Sequence, residues 1–138
     1  MILVIRISGL VEVSSEIEES LFRIHLRRKY SATLLEPTHS NLALLKKIRN
    51  FVAYGNVDES TIKEIVEKRG EPLPGKKVNL SSVSEQASKK KLSDLGLKPF
   101  FRLHPPRGGI DSKVHFPIRK GVLGDNKEKI NDLVRRML

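Results

Sequence analysis

Residues 2–7, ILVIRI, constrain this chain more than any other stretch, being an aliphatic, largely β-branched run broken only by Arg6. A strand with one solvated face alternates apolar with polar residues. A continuous run instead predicts a strand covered on both faces or set at the centre of a sheet. Around this core strand the pattern alternates. After a turn around Gly9, Ser15 with Glu18 makes a capping box, and Ile17, Leu21 and Ile24 recur at helical spacing, so a helix is expected from about Ser15 to Lys29. Ala32 to Leu35 reads as a second strand closed by Pro37. Ser40 is the expected cap of a second helix that turns Leu42, Leu44, Leu45 and Ile48 inward. Phe51 to Tyr54 reads as a third strand stopped by Gly55 and Asn56. Taken alone, strand–helix alternation suggests parallel crossovers.

From Asp58 a polar amphipathic helix is expected, with Ile62, Ile65 and Val66 on one face and Gly70 as its stop. Glu71 to Ser82 reads as a loop or hinge and Ser84 to Leu95 as a further helix. Phe100 to Leu103 and Val114 to Ile118 read as short strands flanking a basic loop. Gly121 to Asp125 reads as a turn, and Ile130, Leu133, Val134 and Met137 pattern a closing helix capped by Asp125 with Glu128.

Charge supplies the functional direction. With 26 Lys and Arg against 16 Asp and Glu, the net charge is +10, which points to a polyanionic partner. Within Phe100 to Lys120, the cations Arg102, Arg107, Lys113, Arg119 and Lys120 face the single acid Asp111. Pro105, Pro106, Gly108 and Gly109 deny that segment a helix, so turns must hold the charge, and glycine lets a backbone approach a bulky ligand closely. Arg27 and Arg28 at the end of the first helix, and Lys46 and Lys47 on the outer side of the second, are further candidate contacts. His104, in the basic loop, is placed to stack on a base or bond a phosphate.

Other chemistries find little support. The absence of cysteine excludes disulfides, thiolate zinc sites and cysteine nucleophiles, and the four histidines show no ligand spacing, so no metal or other cofactor is expected. GVLGD at 121–125 lacks the spacing and lysine of a phosphate-binding loop, and no nucleophile–base pair is legible, so no catalytic residue and no enzyme is expected. Aromatic residues make up only 5%, which argues against a series of base-stacking platforms and for recognition of backbone and shape. No run approaches the roughly 20 apolar residues of a bilayer span. The first residues read as a strand rather than a signal peptide, and a cytoplasmic protein is expected.

Two stretches carry a resemblance. LLEPTHSNLALLKKIRNFVAYGNVD (34–58) and FRLHPPRGGIDSKVHFPIRKGVLGDNKEKINDLVRRML (101–138), with the MILVIRISG opening, make the chain similar to the large-subunit ribosomal protein L-thirty family, in its long archaeal-type form related to the eukaryotic large-subunit protein seven. The resemblance implies an α+β fold. Its ferredoxin-like core is a β-α-β-α-β unit with a three-stranded antiparallel sheet over 1–57, followed by a C-terminal α/β extension over 58–138. It also implies a non-catalytic constituent of the large ribosomal subunit that binds and stabilises folded rRNA. Arg102, His104, Arg107, Gly108, Gly109 and Lys113 are then its RNA-facing loop. The chain departs from the family at Leu42 and Ala43, where members often carry arginine and glycine, leaving Lys46, Lys47 and Arg49 to take that role. Partners implied are large-subunit rRNA, 5S rRNA as a further candidate, and neighbouring ribosomal proteins, with no membrane or DNA expected. A free RNA-binding or regulatory protein with the same fold is the alternative.

Overall fold

Ile2–Arg6 forms β1, and its side chains go both ways into apolar surroundings. Leu3, Ile5 and Ile7 enter one cluster while Ile2 and Val4 enter a second on the opposite face. Burying each such side chain contributes roughly 1.5–3 kcal/mol, which is why the run tolerates no alternation. The computed structural model describes residues 2–7, 15–36, 38–70, 100–105, 111–115 and 121–138. The expected turn at Gly9, loop 71–82 and helix 84–95 lie outside the described residues.

After β1 come α1 (Ser15–Arg23), β2 (Ser31–Leu35), α2 (His39–Ile48), β3 (Val52–Asn56) and α3 (Glu59–Arg69). The C-terminal part adds β4 (Phe101–Arg102), β5 (Asp111–His115), β6 (Gly121–Asp125), a 3-10 turn over Lys127–Lys129, and α4 (Ile130–Met137). β1 pairs antiparallel with both β2 and β3, giving the antiparallel β-α-β-α-β core and overturning the parallel pairing that alternation suggests. β2 and β3 do run the same way, but β1 is inserted between them. The extension continues the sheet at both edges to the order β4-β2-β1-β3-β6-β5, with β4 antiparallel to β2 and β6 parallel to β3.

The core helices and the extension helices occupy opposite faces. Leu21 and Ile24 with Leu45 and Ile48 pack on Val4 and Val52 on one side. Ile62, Ile65 and Val66 with Ile130, Leu133, Val134 and Met137 pack on Leu3, Ile5, Ala53 and Phe101 on the other. Asn131 ties α4 to the end of β3, accepting from the Asp58 amide at 3.0 Å and donating to the Glu128 carbonyl at 2.8 Å.

Several boundaries differ from expectation, each for a local reason. α1 ends at Arg23 rather than Lys29 because the chain closes it with a Schellman motif. The Leu26 amide donates to the Leu21 carbonyl at 2.9 Å and the His25 amide to the Phe22 carbonyl at 3.1 Å, with His25 at φ 65°. Leu21 and Leu26, the apolar pair of that motif, are both fully buried.

α2 is capped by Thr38, whose Oγ1 accepts from the Asn41 amide at 3.3 Å, two residues before the expected Ser40. Leu42, at the flank of the face formed by Leu44, Leu45 and Ile48 at about 100° per residue, is 40% exposed, while Leu45 and Ile48 are buried. β3 runs through Gly55 and Asn56 instead of stopping there. A Cβ on Gly55 would collide with the Lys127 carbonyl, so this glycine serves a close backbone approach rather than a turn.

Gly121–Asp125 is a strand, not a turn, since β6 finds an open edge on β3. The expected capping box of Asp125 with Glu128 does not form: the 3-10 turn follows Asn126 and the closing helix follows Lys129, neither capped by a side chain, while the Asp125 Oδ1 accepts from the Lys127 amide at 2.9 Å in the turn before them. Of the strands expected around the basic loop, β4 is shorter than predicted and β5 begins at Asp111 rather than Val114.

Candidate nucleic-acid interface

The sheet topology gathers cations at one end. β1 finishes there and β3 starts there, because Arg6 pairs with Val52 and the Ile7 amide donates to the Phe51 carbonyl. The C-terminus of α2 lies at this end, with the Phe51 amide bonded to the Ile48 carbonyl at 2.9 Å. β2 also begins here, the Tyr30 amide reaching the Arg6 carbonyl at 2.7 Å. The register of β4 sets Arg102 directly opposite Ser31. Thus Arg27, Arg28 and Lys29 on the α1–β2 loop, Lys46, Lys47 and Arg49 near the end of α2, and Arg102 on the edge strand share one end of the molecule. All of these are exposed.

Two carboxylates near this end are already engaged. Glu19 holds Arg23 at 2.9 Å and Glu16 holds Lys47 at 2.6 Å. The hydrogen bond and charge of Lys47 keep the Glu16 carboxyl below its ordinary range. Among the described residues, no carboxylate pairs with Arg27, Arg28, Lys29, Lys46, Arg49 or Arg102. Six cations left to solvent at one end hold a positive field that a polyanion neutralises. Beneath them the Arg6 guanidinium is fully buried, donating to the Leu26 carbonyl at 2.8 Å and so fixing the basic loop to the sheet. Burial pushes Arg6 below its usual value, with Glu18 pulling the other way.

Aromatic rings lie among these cations. Arg27 sits over Phe22 with its guanidinium carbon 5.7 Å from the ring centroid, Lys29 over Tyr30 at 5.0 Å, and Arg102 over Phe100 at 5.8 Å. The contacts arise locally. Residues 100 and 102 share a face of β4 by strand alternation, while the left-handed His25 turns the chain so that Arg27 comes back over α1. Phe101 points the other way into the core, 1% exposed.

His104 is held within the fold. Its Nδ1 lies 2.7 Å from the Pro105 carbonyl and its Nε2 2.5 Å from the Leu138 main-chain oxygen, and its amide donates to the Met137 carbonyl. The ring joins β4 to the end of α4. Arg107, Gly108, Gly109, Arg119 and Lys120 lie outside the described residues, and Lys113 stands on β5. Sequence alone names Arg27, Arg28, Lys46, Lys47 and Arg102 as candidates, and strand register is what sets them at one end. Sequence reasoning passed over Phe22 and Tyr30. Lys29 beside Tyr30 and Phe100 two before Arg102 were signals legible in the sequence, but Phe22 and Arg27 are five apart and meet only through the turn. No group of acids and histidines able to hold a metal occurs among the described residues. No described helix is long and apolar enough to cross a membrane.

No protein-family model matches the chain. Curated proteins do. The large ribosomal subunit protein uL30 of Aeropyrum pernix is 36% identical over 154 residues, spanning 98% of this chain and 97% of that protein. Its namesake in Methanobrevibacter smithii is 35% identical with both chains covered in full, and that of Nanoarchaeum equitans 33% identical over 98% of this chain.

Proposed function

Because the chain belongs to the large ribosomal subunit protein uL30 family, we propose that it is a structural constituent of that subunit and binds and stabilises folded rRNA. The observation that carries this reading is the set of six cations, none paired with a carboxylate among the described residues, brought to one end of the sheet by three separate connections. Neutralising phosphates with fixed lysine and arginine releases counterions, so affinity is expected to come chiefly from backbone contacts and to fall steeply with salt. Arg107, Gly108, Gly109, Lys113, Arg119 and Lys120 extend the surface in this reading, and His104, tied to the Pro105 and Leu138 main-chain oxygens, stands beside them in sequence. Residues 1–57 are the core and 58–138 an extension that completes it from the other face. Neighbouring ribosomal proteins and 5S rRNA are further partners, the site of action is the cytoplasmic ribosome, and no catalytic step is assigned.

The test is the salt dependence of rRNA binding by the intact chain. Replacing Arg27, Arg28 and Arg102 together with alanine is expected to reduce the slope of log affinity against log salt by about 2–3, at roughly 0.7–0.9 for each phosphate no longer neutralised. An unchanged slope removes this end of the sheet from the interface. Sedimentation distinguishes the alternative, since a free regulatory protein stays off the large subunit in gradients of moderate salt whereas a constituent travels with it.

A further inference from the structure

Phe22 has no structural task that explains its exposure. It projects from the outer side of α1, 39% exposed, while Leu21 and Ile24 beside it fill the core. A single exposed apolar side chain is ordinary. The only other large exposed one among the described residues is Leu42, in the first turn of α2, an aliphatic side chain with no ring face to offer. Phe22 differs by its setting. The Schellman turn at His25 lays Arg27 over its ring at 5.7 Å, and the ring stands at the end of the sheet where these cations collect. Tyr30 under Lys29 and Phe100 under Arg102 repeat the arrangement nearby, so three aromatic rings at this end each have a cation on them.

A phosphate backbone needs charge alone and gains nothing from a flat apolar face. Paired bases in an RNA duplex hide their faces in the stack, so a ring–guanidinium pair can receive a base only where one has been turned out. We propose that the Phe22–Arg27 stack receives an unpaired, extruded nucleobase of RNA, with the surrounding cations holding the phosphates on either side of it. The pair is assembled before binding by a backbone turn, so little side-chain freedom remains to be lost when a base settles on it. This inference rests on the RNA-binding reading above and names the kind of RNA element that the site takes.

Two RNA hairpins test it, identical except that one stem carries a single unpaired 2-aminopurine and the other is fully paired. The wild-type protein is expected to prefer the bulged stem by on the order of tenfold, with the probe's emission changing as its stacking changes. Phe22→Leu keeps the apolar bulk and removes the ring. It is expected to abolish that preference while leaving affinity for the paired stem, and its salt slope, unchanged. Equal affinity of the wild type for the two stems, or a preference that Phe22→Leu retains, overturns this inference alone. Binding of neither stem overturns both it and the RNA-binding reading.

Discussion

His25→Gly is expected to stabilise the protein, and the size of the gain can be worked from the turn that ends α1. His25 occupies the left-handed region at φ 65°, its side chain is exposed, and its imidazole makes no hydrogen bond or ion pair among the described residues. Holding an L-residue there costs about 1–2 kcal/mol, which glycine does not incur. Glycine has more freedom to lose on folding, which returns about 0.5–1 kcal/mol of that gain. The net expectation is a gain of about 0.7 kcal/mol, the middle of a span of about 0–1.5.

With an unfolding entropy of about 2.1 cal/mol/K per residue, this raises Tm by about 2–3 °C for a chain of this size. Urea unfolding of wild type, His25→Gly, His25→Ala and His25→Val separates the contributions. Alanine keeps the Cβ and is expected to match histidine. Valine adds β-branching in a region closed to it and is expected to be the least stable. A glycine variant no more stable than the alanine variant would show that the left-handed conformation carries no such cost.

Two further substitutions probe contacts between elements. Gly55→Ala puts a Cβ into the Lys127 carbonyl, a backbone atom that cannot swing aside, and is expected to cost about 1–3 kcal/mol or more by displacing the chain entering α4. A urea midpoint unchanged from wild type refutes the close approach. Lys47 holds the Glu16 carboxyl below its ordinary value, so the stabilisation it gives is complete above the unfolded carboxyl's pKa and lost as pH falls through the folded one. The stability difference between wild type and Lys47→Met is accordingly expected to shrink from about pH 6 to pH 3, and a difference independent of pH sinks the pairing.

Legibility followed the range of the interactions. The burial of residues 2–7 on both faces and the inward faces of α3 and α4 were readable, because each rests on a period of 2 or 3.6 within one element. The ferredoxin-like antiparallel core was reached through family resemblance, since alternation alone points to parallel pairing. The end of α1 was misplaced because helical spacing continues past Arg23, whereas the Schellman bonds depend on a left-handed histidine that composition does not advertise. Gly55 and the strand at 121–125 were read as turns for a related reason. Glycine marks a turn when only its neighbours in sequence are considered, but here it admits another segment's backbone or pairs with a distant strand.

The candidate site divides in the same way. Its charges are composition, and the excess of ten positive charges points to a polyanion as the partner class before any fold is known. Their convergence is tertiary. Arg27 and Arg102 are far apart along the chain and meet at one end only because β4 pairs with β2 at Ser31. Phe22 and Arg27, close in sequence, form a stack only because α1 stops early and the chain turns back. Sequence determined which groups were available and which faces had to be buried, since hydrophobic transfer and charge are properties of each residue. Strand register and backbone turns decided which of those groups stand together, because proximity between distant residues is set by pairings that no single segment encodes.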